Sequence, residues 1–158
     1  MSATLSADAH LRVFAAEPPL PATTAQLVSA ALAKLLRQFE REGRCTQGAV
    51  WTEQEGRFVL LAWEGPHLSG CSHDKVAQVV QAAERAHGID MLASSPIAVD
   101  QPPRLLTRAG VRAGLESGVL TSESRWWPLR AETVGEWRKG PFTLRDSGLP
   151  MGTRPATP

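Results

Sequence analysis

Six consecutive apolar residues, Phe58-Val59-Leu60-Leu61-Ala62-Trp63, constrain this chain more than any other feature. A strand wetted on one face alternates polar and apolar side chains; a strand buried on both faces does not. The run therefore predicts a central strand with a layer of protein on each side. Directly upstream, Gln47 to Glu53 alternates, with Val50 against Trp51 and Thr52, and the link Thr52-Glu53-Gln54-Glu55-Gly56 ends in glycine. A short polar link ending in Gly between two apolar runs is a hairpin signal.

The rest of the chain is arranged around that hairpin. Leu11 to Ala16 has the content of a first strand, closed by Pro18-Pro19 and Pro21, since proline cannot continue a ladder. A helix is expected from Thr23, where Thr23 and Gln26 stand at capping-box spacing. Its buried stripe is Leu27, Ala31, Leu35 and Phe39, widened by Val28, Leu32 and Leu36, and Gly43 supplies the stop. A second helix is expected from Ser72 or His73 to about His87, with Val76, Val79, Val80 and Ala83 inward and Gly88 at its end. Ile89 to Val99 reads as a strand broken by Ser94, Ser95 and Pro96. Strand, helix, strand, strand, helix, strand is the split βαβ pattern of a ferredoxin-like α+β fold, βαββαβ, with both helices on one face of the sheet.

After Gln101-Pro102-Pro103 the chain reads as a helical, Trp-containing extension. Thr107 can cap a short helix with Val111 and Leu115 inward and Gly118 at its end, and a further helix is expected from about Thr133 to Arg138. Trp126, Trp127 and Trp137 either anchor this extension on the second face of the central strand or form an exposed surface. The predicted organisation is a flexible start over residues 1–10, a single α+β domain over 11–149 (core 11–101, extension 104–149) and a disordered tail over 150–158.

Bulk composition mainly excludes. A formal charge of +1 from 17 basic and 16 acidic residues gives no basic field for nucleic acid. No apolar run is long enough to span a bilayer, and Met1 to His10 lacks the basic and apolar regions of a signal peptide. Two cysteines, Cys45 and Cys71, make no disulfide scaffold, CxxC pair or four-ligand zinc site. The expectation is a cytosolic protein with reduced thiols.

The chemistry-bearing groups gather where the central strand hands over to the second helix, at Ser69-Gly70-Cys71-Ser72-His73-Asp74-Lys75. Helix N-termini leave amides unsatisfied, which favours anions and stabilises thiolates. Cys71 fits either a small buried residue or a reactive thiol, with His73 as base and Asp74 orienting it. Residues two apart on a helix point to different faces, which weighs against that pairing. Ser72 is expected as N-cap, Asp74 in the first turn against the dipole, and Gly70 in a backbone conformation closed to other residues. His67, Cys71, His73 and Asp74 contain metal-ligand types, but zinc sites normally draw on two separated elements. An anion site needs only the Gly70–Lys75 amides with Lys75 or Arg57 nearby. Trp51 and Trp63, on adjacent strands, either fill the core or stack on a ligand; His10 and His87 look like surface residues at element ends.

Arg12-Val13-Phe14, Ser69-Gly70-Cys71-Ser72 with Asp74, and Ile89-Asp90-Met91 resemble a family of small uncharacterised bacterial proteins that share a Ser-Gly-Cys-Ser-Ile-Asp signature. The resemblance runs from about Arg12 to Leu149 and is specific at the Gly-Cys-Ser-x-Asp core. His73 stands where that family has an aliphatic residue, and Phe14 where it often has Trp. Its members often carry the label "ABC transporter ATPase". Phosphate cradling of that type requires G-x-x-x-x-G-K-[ST], and Gly70 to Lys75 has one glycine at the wrong spacing. The resemblance implies no established activity.

Without paired carboxylates, a metal motif or a nucleotide loop, the expected function is a non-catalytic binding or regulatory module. Gly70, Cys71, Ser72, His73, Asp74 and Lys75 form its ligand site, for a small anion or a protein partner, and a homodimer through any uncovered part of the sheet is compatible. The alternative is a thiol-dependent enzyme or redox sensor with Cys71 and His73 catalytic. Neither reading calls for a cofactor or metal.

Overall fold

The computed structural model describes residues 5–92, 95–140 and 142–151. In chain order the elements are β1 (His10–Ala15), α1 (Ala22–Arg41), β2 (Gln47–Glu53), β3 (Phe58–Glu64), α2 (Gly70–His87), β4 (Ile97–Val99), β5 (Arg104–Leu106), α3 (Arg108–Ser117), β6 (Arg125–Trp127), α4 (Val134–Arg138) and β7 (Phe142–Thr143), then a 3-10 turn at Leu144–Ser147. The class is α+β. The chain divides into two compact units, Met1–Ala93 with Arg130–Arg138, and Ser94–Leu129 with Lys139–Pro158.

In the first unit β3 is central, with antiparallel neighbours in the order β1-β3-β2. His10 lies opposite Trp63 and Gln47 opposite Glu64, so the starts of β1 and β2 meet the end of β3. All six residues of the apolar run are buried, as the pattern predicts. On one face Val59, Leu61 and Trp63 join Val28, Leu32, Leu35, Leu36 and Phe39 of α1 and Val76 and Val80 of α2.

The other face carries Phe58, Leu60 and Ala62, which are sealed from solvent. Here the segment 130–138 returns to the sheet. Trp137 meets Phe58 edge-on with ring centroids 5.4 Å apart, and its Nε1 donates to Glu53 Oε1 at 3.0 Å. Trp51 Nε1 donates to the other oxygen of the same carboxylate at 2.8 Å. Backbone bonds from Leu11 N to Glu132 O, from Val134 N to Ala9 O and from Gly135 N to Ala7 O tie this strap to the start of β1. In the expected flexible start Leu5 and Ala9 are buried, while Ser6, Ala7 and Asp8 are exposed. Residues 1–4 of that start, and the expected tail from residue 152, lie outside the described residues.

Three local expectations shift. The Thr23 capping box gives way to an earlier start at Ala22, entered through Pro21, whose ring fixes φ at −59°. The α1 stripe rotates onto Val28, Leu32, Leu35, Leu36 and Phe39, leaving Leu27 55% exposed. The strand expected over Ile89 to Val99 splits. Asp90 makes a single antiparallel bridge to Glu17, while β4 pairs with β5 and β6 in the second unit. Ser95, with φ +49°, and Pro96, which has no N–H, interrupt the ladder between them.

The second unit is a small antiparallel sheet, β5-β4-β6-β7, around Ile97, Val99, Val111, Leu120 and Leu144, with Leu115 and Trp126 packed against them. Thr107 caps α3 by accepting from Gly110 N at 3.0 Å, and Gly118 ends it in the left-handed region, both as expected.

Candidate functional site

The connection from β3 to α2 begins with Gly65 at φ +120° and is steadied by Trp63 Nε1 donating to Pro66 O at 3.1 Å. Ser69 is extended, and its Oγ accepts from Ser72 N at 3.1 Å. That makes Ser69 the N-cap, so α2 starts at Gly70, earlier than the expected Ser72 or His73. Both serines have the chemistry to cap; burial decides between them.

This shift changes the role of every residue at the junction. Gly70 is the first helical residue, outside the positive-φ set, and a Cβ added there would meet nothing within 4 Å. Its expected special backbone is therefore corrected. Cys71 is exposed. Ser72 is buried, at 1% exposure, and is the sole buried polar side chain among the described residues. Its Oγ receives Arg44 Nη1 at 2.7 Å and Ser69 Oγ at 3.1 Å. Asp74 becomes the fifth helical residue, beyond the first turn, which contains no acid. The amides of Gly70 and Cys71 have no acceptor among the described residues.

Around this turn lies a cationic and aromatic cluster. Trp63 is flanked by His10, with ring centroids 5.2 Å apart, and by His73, edge-on at 5.9 Å. His67 stacks against His10 at 4.4 Å, and His10 Nε2 lies 2.9 Å from Gly65 O. Strand alternation puts Arg12 on the same face of β1 as His10 and Phe14. Its guanidinium sits 4.8 Å from the Phe14 ring centroid and donates from Nη1 to His73 Nδ1 at 3.4 Å. Arg12 is half-buried and has no carboxylate partner among the described residues. Burial lowers its pKa. His73 is also held below the ordinary histidine value, first by burial and then by Arg12, with His67 adding and Asp74 opposing.

Arg57, expected as a possible neighbour, stands at the opposite end of β3, donating to Ala16 O and paired with Glu17. Trp51 and Trp63 cannot stack on one ligand. Trp63 faces the helices, while Trp51 faces away toward the shared Glu53. Among the described residues no three His, Cys, Asp or Glu side chains converge to hold a metal ion, the His67–Cys71–His73–Asp74 set included. Cys45 is buried, and desolvation raises its pKa.

Sequence reasoning missed Arg12 and Arg44. The one available signal for Arg12 was a charge two residues before Phe14, on the side of a strand that must face the helices. Arg44 had none, because its partner Ser72 is 28 residues away. Comparison with family models, curated proteins and solved structures finds no match. No described helix is long and apolar enough to cross a membrane.

Proposed function

We propose that this chain is a non-catalytic binding or regulatory module whose ligand is a small anion, held at the start of α2. The observation that carries this reading is Arg12. Withdrawing a guanidinium from water is costly unless an opposite charge compensates it, and here the partner is a neutral imidazole rather than a carboxylate. The free amides of Gly70 and Cys71 at the helix N-terminus favour the same ligand charge. Arg44 adds positive charge beside Ser72, partly offset by its ion pair with Glu42. We read the first unit as a ferredoxin-like plan whose fourth strand is reduced to the Glu17–Asp90 bridge, and a cytosolic setting accords with two free cysteines. A dimer through the second face of β3 is not part of this reading, because that face is sealed.

The test is an amide NMR titration with sodium sulfate at constant ionic strength. Saturable shifts at Gly70 and Cys71 that vanish in Arg12→Gln are expected; shifts that are linear, or unchanged in the variant, overturn the reading.

The exposure of Cys71 favours a second reading, a thiol-dependent activity. Iodoacetamide at pH 6 to 7 separates the two. If Cys71 alkylates no faster than a free peptide thiol, the enzymatic alternative loses its support.

A further inference from the structure

The sheet of the first unit has two outer edges, on β1 and on β2, and they are treated differently. On the β1 edge Leu11 N donates to Glu132 O, and Glu17 and Asp90 exchange backbone hydrogen bonds. That edge is pinned at both ends. On the β2 edge, Gly48 N turns away from β3 and donates to Glu40 Oε2 of α1 at 2.9 Å. Backbone groups in an antiparallel ladder face one neighbour and then the other at successive residues. Gln47, Ala49, Trp51 and Glu53 therefore bond to β3, while Val50 and Thr52 point their N–H and C=O groups outward with Gly48. Among the described residues the backbone groups of Val50 and Thr52 have no partner on that side.

An edge that stays single is normally short, bulged, or marked by lysine or proline. β2 is seven residues long, its register with β3 runs unbroken from Gln47 to Glu53, and it contains neither lysine nor proline. Glu40 guards it at Gly48. The groups left open are complementary to themselves. Two β2 strands paired antiparallel about a two-fold axis at Trp51 set Val50 opposite the partner's Thr52, and each such pair exchanges two N–H···O bonds. Gly48 keeps its bond to Glu40 in this register, whereas an axis at Val50 would displace it. Charge raises no objection: Glu53 stands opposite the partner's Ala49, and no like charges face each other along the paired stretch. Trp51, half-buried and held through Nε1 by Glu53 at 2.8 Å, meets the partner's Trp51 as a cross-strand aromatic pair. We propose that the chain forms a two-fold dimer by pairing the outer edge of β2 with β2 of a second copy, which makes one sheet in the order β1-β3-β2-β2-β3-β1. The axis stands normal to the sheet, so the helices of both copies share one face and both 130–138 straps share the other. The dimer uses the edge, not the sealed face of β3, and does not depend on the anion-binding reading.

Sedimentation equilibrium of the full chain over about a hundredfold range of concentration should pass from the 17.0 kDa of one copy to twice that mass. Amide hydrogen exchange supplies the second readout. The Val50 and Thr52 amides should exchange about tenfold more slowly once about nine-tenths of the chain is dimeric, while Ala49 and Trp51, bonded to β3, stay slow throughout. Thr52→Pro removes an outward N–H, and with it half of the bonds across the axis, without touching the ladder to β3; it should leave a folded monomer. A monomer at every concentration overturns the proposal and leaves the edge to a strand from another protein. A dimer that persists in Thr52→Pro, or that forms while Val50 and Thr52 exchange as before, overturns it by placing the interface elsewhere. The exchange measurement on the unmodified protein decides the matter even if the variant does not fold.

Discussion

The two ends of β3 are built on opposite principles. At the Phe58 end the charged groups have well-matched partners: both oxygens of Glu53 accept from indole N–H groups, and Arg57 is paired with Glu17. At the Trp63 end the half-buried Arg12 is answered by an imidazole, two histidines flank one indole, and a third packs against one of them. Buried polar groups ordinarily have partners of matching character. The first end looks like a seam that closes the molecule. The second retains a charge that the fold does not need, and in folded proteins such local inconsistencies cluster at functional sites.

Four measurements sharpen or break this contrast. Trp137→Ala should have the largest effect, a loss of about 3 to 5 kcal/mol in urea unfolding, because it opens the face of Phe58 and strands the Glu53 oxygen. Replacing the two arginines separates the ends. Arg57→Gln should cost roughly 1 to 3 kcal/mol through its lost charged hydrogen bonds, whereas Arg12→Gln should stay within about 1 kcal/mol of the parent, since relief of desolvation offsets the lost contact with Phe14. Equal losses would erase the distinction.

The third measurement is pH. His73 binds its proton more weakly in the folded chain than in the unfolded one, so the stabilisation tied to its neutral form is fully present above the ordinary value of 6.5. It declines as pH falls through that value toward the lower folded one. Thermal melts from pH 8 to pH 5 should show this acid loss, and His73→Gln should remove it; an identical slope in both would contradict the assignment. The smallest effect belongs to Gly70→Ala. With no positive φ and open space around it, alanine should fall within about 0.5 kcal/mol of the parent, on the stabilising side. A large loss would mean that the first turn of α2 is not built as described.

How much of this was legible in the sequence follows from how local each signal is. Central burial of Phe58 to Trp63 needs only the run itself, and the Thr107 and Gly118 ends of α3 need only single residues with known preferences. The start of α2 was misplaced because Ser69 and Ser72 have the same capping chemistry, and nothing local says which one is buried. That ambiguity carried Gly70, Cys71 and Asp74 with it. Arg12 and His73 are 61 residues apart, and no periodicity links them. The fate of Ile89 to Val99 was likewise non-local: the break at Ser95 and Pro96 was visible, but the choice of β5 and β6 as partners was not.

The central claim is that Arg12 awaits an anion, and a crystal structure with selenate, located by its anomalous signal, tests it most directly. The account predicts an ordered selenate in contact with the Arg12 guanidinium and the first amides of α2. Arg12 instead paired with a carboxylate of its own chain, and no anomalous density beside it, would contradict it.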